Sequence, residues 1–235
     1  YRDPASVTRD NYREAPRYTV GWYRRTVTLP AALTGQQLWL HLGAADWHVT
    51  VWVNGQRVAD GDSGYVPFSC DLTPALTGDV ATIVIRVEDP QGTDDKPLGK
   101  QHKWYTTTSG LWQPVWLEAR PPVHLERLQL TPRLNPATIT CQAVANVAVA
   151  RLGLRVTVRD EEGNVVGTVT GADLDAPLTV TLGGMARPWC PADPHLYTVT
   201  AELLDGDKVL DTLHSYCGLR EIGIAPLYEG GPKYL

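Results

Sequence analysis

The stretch Val49-Thr-Val-Trp-Val-Asn-Gly55 decides the fold class. Valines at every second position place their side chains on the same face of an extended strand. The Asn-Gly pair that follows is the signal of a two-residue β-hairpin turn, because both residues tolerate a positive φ. The segment therefore predicts a half-buried strand that turns back into an antiparallel neighbour.

The same alternation recurs on both sides of this stretch. Leu38–Leu42 and Ile83–Val87 each place apolar side chains at every second position. Turn signals separate the runs, at Leu76–Asp79, Glu162–Asn164 and Asp205–Gly206. Helical periodicity never persists, and 18 prolines and 21 glycines would interrupt it. The sequence therefore predicts an all-β protein.

Composition narrows the function classes. The chain has 235 residues, of which 43% are hydrophobic and 20% charged, which is enough apolar material for folded cores and argues against disorder. The formal net charge is −5 without a run of Lys or Arg, so we expect neither a nucleic-acid partner nor an anionic membrane surface. No apolar stretch approaches the roughly 20 residues that span a bilayer. The compartment stays open.

The cysteines do not predict a metal site. Their spacing is wide and irregular, and no Cys-x-x-Cys pair is present. Four cysteines allow three disulfide pairings, but a chain of this length needs no cross-links, so we expect four buried free thiols. The six histidines also lack metal-ligand spacing, and a Ser-His-Asp site cannot be argued from them. We expect no metal and no cofactor.

A composition shift divides the chain. Seven of the eight tryptophans precede Arg120, and Pro121-Pro122, which cannot lie inside a central strand pair, stands at the border. After it, short evenly spaced runs predict an immunoglobulin-like sandwich. These predicted strands are Leu152–Arg159, Val165–Thr170, Leu178–Leu182, Leu196–Leu204 and Lys208–Ser215. We expect a jelly-roll β-sandwich over 1–121, the immunoglobulin-like β-sandwich over 122–224 and a linker over 225–235.

Five segments, in order along nearly the whole chain, resemble glycoside hydrolase family 2, the β-galactosidase, β-glucuronidase and β-mannosidase group. They are Gly21–Pro30, Val51–Gly55 with Gly64–Phe68 and Asp71–Thr73, Ser109–Glu118, Trp189–Tyr197 with Asp205–Gly206, and Gly218–Ile222. The last segment lies in the run Gly218–Ile224, which is expected to be a strand. The first three are similar to strands of the family's sugar-binding domain, and the last two to its immunoglobulin-like domain. Cys190 and Cys217 depart from the family pattern, where Ser and Phe are usual.

The resemblance implies a non-catalytic role for this chain. In the family, both catalytic glutamates lie on a (β/α)₈ barrel, and the acid/base follows an Asn; no Asn is followed by Glu here. We expect the chain to end where the barrel would begin, to hydrolyse nothing alone, and to support the barrel and shape the rim of its substrate pocket. Expected partners are the barrel, through it a carbohydrate substrate, and a further copy of the parent enzyme.

The candidate substrate-binding residues are Asn54, Lys100, Gln101 and Trp104. A Gly-Lys-Gln element recurs in part of the family, so the resemblance implies that Lys100 and Gln101 bind sugar hydroxyls or brace the barrel; an ordinary solvated loop is the alternative. Trp104, at the end of this loop, could stack on a sugar or pack in the fold. Asn54 matches a family residue that reaches the sugar site, although its turn already explains it.

Two other functions remain open. A free-standing carbohydrate-binding module would capture glycans without hydrolysis, and a structural or adhesion protein would use tandem sandwiches as spacers. Exposed aromatic side chains that respond to sugar would distinguish the first from the second. The sugar, the linkage and the oligomeric state do not follow from the sequence.

Overall fold

The computed structural model describes residues 19–89, 108–148, 151–226 and 228–234. The chain forms two compact units, Tyr1–Pro122 and Val123–Leu235. Both consist of antiparallel strands, so the predicted all-β class is confirmed. Among the described residues, no helix is long and apolar enough to cross a membrane.

The first unit is a sandwich of two sheets. One sheet has the strand order β1-β7-β4-β5 and the other β6-β2-β9, and β3 and β8 form a short separate pair. Two single-turn 3₁₀ segments, Ala31–Leu33 and Thr73–Ala75, connect strands. The strands are β1 (Val20–Thr28), β2 (Gln37–Leu42), β3 (Ala45–Asp46), β4 (His48–Val53), β5 (Gln56–Asp62), β6 (Phe68–Asp71), β7 (Val80–Glu88), β8 (Gly110–Leu111) and β9 (Val115–Arg120).

The core of this unit is built by the alternation seen in the sequence. Val49, Val51 and Val53 of β4 are fully buried, and alternate residues of β2 and β7 pack with them between the sheets. Asn54 and Gly55 form the β4–β5 turn with φ values of 51° and 84°. Because a type I′ turn needs a positive φ at both positions, the predicted hairpin is confirmed.

The tryptophans of the described strands lie on the outer faces of the sheets. Among the described residues, no tryptophan belongs to the buried core of either unit, which is mainly aliphatic. Trp39, Trp52 and Trp116 take the strand face opposite to the buried leucines and valines. They stack there on neighbouring rings, as Trp52 does on Trp22 and Trp116 on His41. Strand alternation, rather than side-chain size, decides their position.

The second unit has two main sheets, of order β10-β11-β14 and β13-β12-β15-β16. Seven strands in two antiparallel sheets of this order match an immunoglobulin-like sandwich in which β13 joins the larger sheet. The strands are β10 (Leu125–Arg133), β11 (Thr138–Ala145), β12 (Leu152–Arg159), β13 (Val165–Gly171), β14 (Leu178–Thr181), β15 (Tyr197–Asp205) and β16 (Lys208–Cys217), with a small pair of β17 (Ala225–Pro226) and β18 (Lys233–Tyr234).

A buried tyrosine closes one end of this sandwich. Tyr197, the first residue of β15, accepts a hydrogen bond at its hydroxyl from the backbone N–H of Arg187 (2.7 Å). A tyrosine at the start of this strand that binds backbone upstream is the tyrosine corner of immunoglobulin-like domains. The contact fixes the connection from β14 to β15 against the core.

Two sequence expectations were wrong in this unit. The run Gly218–Ile224 is not a strand, since β16 ends at Cys217; Glu221 instead binds Arg133 and the N–H of Leu134 through its side chain. Cys190 is exposed, because it lies in the irregular connection before β15, whereas the other three free cysteines are buried.

Candidate functional site

The candidate site lies at the end of the first unit where β7 stops and β8 begins; we call it the β3–β8 end. Asp46 of β3 pairs with Gly110 of β8, which brings distant parts of the sequence together. Asp89 follows β7 directly, and its carboxylate accepts a hydrogen bond from the hydroxyl of Ser109 (2.5 Å). Two acidic side chains and a hydroxyl are therefore placed on these neighbouring backbone segments.

A tight turn at Ser63 and Gly64 supports this end. The Ser63 hydroxyl accepts the N–H of Ala45 (2.9 Å) and donates to the carbonyl of Val66 (2.7 Å). The N–H of Gly64 donates to the carbonyl of Ala45 (2.6 Å). Gly64 has a φ of 66°, in the left-handed region where glycine is favoured. The turn is therefore bound to β3 by backbone and side chain.

Two aromatic side chains stand on this turn. The indole N–H of Trp112 donates to the carbonyl of Gly64 (2.9 Å), and the next residue, Tyr65, meets the indole ring at a centroid distance of 5.7 Å and an angle of 68°. Tyr65 is 45% exposed and Trp112 37% exposed. We call this pair the aromatic step. It presents apolar ring surface to solvent at the β3–β8 end.

The chemistry of the β3–β8 end suits binding better than catalysis. Asp46 is only 5% exposed, so little of its carboxylate can meet an incoming molecule. Within the residues that the structure describes, no group of three or more His, Cys, Asp or Glu side chains could hold a metal ion. Rigid aromatic rings next to hydroxyl and carboxylate groups are the typical lining of a small-molecule site.

The four sequence-predicted site residues are not brought together by the described part of the chain. Lys100, Gln101 and Trp104 lie outside the described residues. Asn54 lies at the end of β4 that is remote from the β3–β8 end. His48, at the start of β4, pairs with Glu88, which precedes Asp89, whereas Val53 pairs with Ile83. Five residues of extended strand separate the two ends by about 17 Å.

The side chain of Asn54 is used within its own unit. Its carbonyl oxygen accepts the N–H of Thr82 (2.9 Å), and its amide donates weakly to the carbonyl of Ala75 (3.4 Å). These bonds explain the residue by the turn that it closes. A contact of Asn54 with sugar stays a prediction.

Sequence reasoning did not single out Tyr65, Trp112 or Asp46 as site residues. In the sequence, Tyr65 and Trp112 stand out only as members of the segments Gly64–Phe68 and Ser109–Glu118. The two-residue pairing of β3 with β8 and the single hydrogen bonds of Gly64 bring these positions together, and neither carries a local sequence pattern. Turn chemistry at Ser63-Gly64 was the one available signal.

A second polar cluster lies on the outer face of the β6-β2-β9 sheet. His41 is sandwiched between Trp39 and Trp116, and its Nδ1 is 2.7 Å from the hydroxyl of Ser69. Its Nε2 lies 2.8 Å from Glu118, although out of line for a good hydrogen bond. A hydrogen bond from Arg120 is the largest cause that lowers the pKa of Glu118. The neighbouring rings and the Ser69 hydroxyl thus hold the His41 imidazole against its own sheet.

Comparison with known families identifies both units. Residues 4–121 match the model of the sugar binding domain of glycosyl hydrolases family 2, and residues 123–220 match a second model of glycosyl hydrolases family 2. The two matches together extend from residue 4 to residue 220.

Individual relatives agree with this assignment. The chain is 28% identical to a beta-glucuronidase from Paenibacillus borealis, over 94% of this chain and 40% of the relative. It is 24% identical to the beta-galactosidase large subunit of Leuconostoc lactis, over 94% of this chain and 36% of the relative. The chain thus spans about two fifths or less of these relatives.

A solved structure shows the same fold. The crystal structure of a glycosyl hydrolase family 2 member from Bacteroides cellulosilyticus matches with a TM-score of 0.72 at 24% identity, over 88% of this chain and 27% of that one. The sandwich architecture of both units therefore agrees with a known family 2 enzyme. Together with the two family models, this establishes that the chain belongs to glycoside hydrolase family 2.

Proposed function

We propose that this chain is the non-catalytic N-terminal part of a family 2 β-glycosidase, in which the β3–β8 end shapes the rim of the substrate pocket on a separate catalytic domain. Three observations support the non-catalytic role. Both family models match non-barrel segments, the relatives are much longer than this chain, and no Asn-Glu pair is present.

The observation that carries the rim role is the convergence at the β3–β8 end. Long connections between strands tend to carry function, and the connection from Asp89 to Ser109 leaves and returns there. The end holds the exposed rings of Tyr65 and Trp112 together with the Ser109–Asp89 pair, and aromatic, hydroxyl and carboxylate groups are those that recognise a sugar. Contacts to remote parts of a substrate can lower the barrier at the reacting centre, so a rim can affect the reaction without a catalytic residue.

The non-catalytic role is tested with the chain itself. We expect the purified 235-residue chain to release no fluorophore from 4-methylumbelliferyl β-D-glucuronide or β-D-galactoside, because the carboxylate pair of a retaining glycosidase is absent from it. Sustained release that survives repeated purification and follows the protein through chromatography would contradict the proposal.

The rim role is tested in the native gene product, if that product hydrolyses one of these substrates. We expect Asp89→Asn to lower kcat/KM at least about tenfold, equal to about 1.4 kcal/mol of transition-state stabilisation. Asp205→Asn, at the exposed end of β15 in the second unit, is the matched control and should leave kcat/KM unchanged. Equal kinetics in both variants would remove the rim role.

A free-standing carbohydrate-binding module is the second candidate. The exposed aromatic step favours it, since rings that stack on sugars need no catalytic partner. It differs from the first candidate in the size of the native gene product, which for a module would equal this chain.

A further inference from the structure

We propose that the aromatic step formed by Tyr65 and Trp112 is a sugar-stacking site that binds the pyranose ring of a β-glycoside. The inference rests on the proposed function, because it names the ligand class and the contact surface at the same end of the first unit. It assigns binding to two residues that lie within the described part of the chain.

The first support is the rigidity of Trp112. A tryptophan side chain has two rotatable bonds, and here the indole N–H is held by the carbonyl of Gly64 at 2.9 Å. The rotamer is therefore fixed before any ligand arrives. A fixed aromatic ring loses little conformational entropy when it binds, which is why rigid Tyr and Trp side chains serve as anchors in binding sites.

The second support is the firmness of the turn below the step. Gly64 lies between the indole of Trp47 on one side and its hydrogen bond to Trp112 on the other. The hydroxyl of Ser63 accepts the N–H of Ala45 and donates to the carbonyl of Val66. The second of these bonds closes the backbone around Tyr65. Both aromatic residues thus stand on backbone that is held by several hydrogen bonds.

The third support is the free ring surface. Tyr65 and Trp112 meet at 68°, and in a T-shaped pair the edge of one ring covers one face of the other. The pair therefore covers at most one of its own four ring faces. By contrast, Trp22 stacks on Trp52 at 5.5 Å and 28°, and Trp116 stacks on His41 at 5.0 Å and 19°.

The fourth support is the polar surroundings. Sugar rings combine an apolar face of C–H groups with a rim of hydroxyls, so a sugar site needs an aromatic face with hydrogen-bonding groups beside it. Trp112 follows β8 directly, and Ser109 precedes β8 and bonds to Asp89. Ser109 and Trp112 therefore flank the two-residue strand β8, so hydroxyl, carboxylate and ring belong to the same end of the unit.

The test is a titration of the 15N-labelled chain, followed by the indole N–H signal of Trp112 in two-dimensional NMR. Loss of one indole signal in Trp112→Phe assigns it. The probes are methyl β-D-glucuronide and methyl β-D-galactoside, and glucitol serves as a polyol control without a ring. We expect at least one glycoside to shift this signal saturably with a midpoint of about 1–10 mM, which is typical of weak single-ring binding, and glucitol to leave it in place.

Variants separate stacking from unfolding. We expect Trp112→Ala and Tyr65→Ala each to weaken binding at least about tenfold, or about 1.4 kcal/mol. Binding to these variants is followed through the backbone N–H signals of Ser63 and Gly64. Trp22→Ala, which removes the 61% exposed tryptophan of β1, should leave binding unchanged. If Trp112→Ala does not fold, the titration of the unaltered chain and of Tyr65→Ala decides.

The outcomes distinguish this inference from the proposed function. The sugar site is overturned if the Trp112 signal does not move at glycoside concentrations well above about 10 mM, or if glucitol shifts it equally. Either result would hold even where the native gene product proves to be a longer glycosidase. A saturable shift that needs Trp112 and Tyr65 supports the sugar site even where the native gene product has the size of this chain.

Discussion

The backbone of Gly64 lies directly against the indole ring of Trp47. A Cβ built on Gly64 would stand 2.8 Å from the Trp47 ring, and Gly64 also has a φ of 66°. Two independent reasons therefore require glycine here: the left-handed backbone and the close approach of the ring. This contact holds the turn on which the aromatic step stands.

Gly64→Ala is expected to destabilise the first unit by about 2–4 kcal/mol, as the sum of left-handed strain and overpacking. Gly55→Ala is the matched control, since Gly55 has a φ of 84° but open space around the added Cβ. It should lose only the strain, about 1–2 kcal/mol. Chemical denaturation of both variants gives the comparison, and equal losses would show that the Trp47 contact is unimportant.

Tyr197→Phe is expected to destabilise the second unit by about 1–3 kcal/mol. The substitution removes the hydroxyl that accepts the N–H of Arg187 at 2.7 Å and leaves that donor without this partner. Tyr216→Phe, at an exposed position of β16, should change the free energy of unfolding by less than about 0.5 kcal/mol. Losses of the same size in the two variants would contradict the assigned role of the tyrosine corner.

The Arg155–Glu202 ion pair is expected to make stability depend on pH. Two contacts of 2.6 and 2.9 Å join the side chains across β12 and β15, and this hydrogen bonding lowers the pKa of Glu202 from its ordinary value of 4.5. A carboxylate with a lowered folded pKa stabilises the fold above about pH 4.5 and loses this contribution as pH falls through the folded pKa.

Glu202→Gln should therefore lower the free energy of unfolding at pH 7 by about 1 kcal/mol or less, because the pair is partly exposed. The difference from the unaltered chain should shrink as the pH falls below about 4.5. Denaturant titrations from pH 7 to pH 3 measure it, with Glu162→Gln, at an exposed turn, as the control. A difference that grows towards acid pH would have the wrong sign.

The cysteines should differ in reactivity. Burial is the larger cause, and the charge of Asp71 the smaller, that raise the pKa of Cys70 to about 11. For Cys141, burial and, to a smaller extent, the electrostatic effect of Cys217 raise the pKa to about 11. Burial also raises the pKa of Cys217. Because the thiolate is the reactive form, native protein should react rapidly with dithiobis(nitrobenzoate) at the exposed Cys190 alone, and at all four cysteines after unfolding. In Cys190→Ser the rapid phase should disappear; a persisting rapid phase would place another thiol at the surface.

Much of the fold follows from the sequence because alternation and turn chemistry are local. Val49–Val53 with Asn54-Gly55 predicts a hairpin that the structure contains, and Leu152–Arg159 is β12 itself. The prediction of a strand at Gly218–Ile224 was wrong because side-chain bonds of Glu221, rather than a backbone ladder, hold this segment.

The candidate site follows from the sequence far less well. Asp46, Gly64 and Trp112 are brought together by a two-residue strand pair and single hydrogen bonds between distant segments. Such contacts have no periodicity to detect. Asn54, one of the candidates named from the sequence, lies at the opposite end of β4, where its turn geometry explains it.

The mass of the native gene product in its source cells, measured with an antibody against this chain, tests the central claim most directly. If the chain is the front of a family 2 glycosidase, the antibody should detect a species at least about 28 kDa heavier than this chain, since a (β/α)₈ barrel takes about 250 residues. A native product of 25.8 kDa, the mass of the chain itself, would contradict this account and leave a free-standing module.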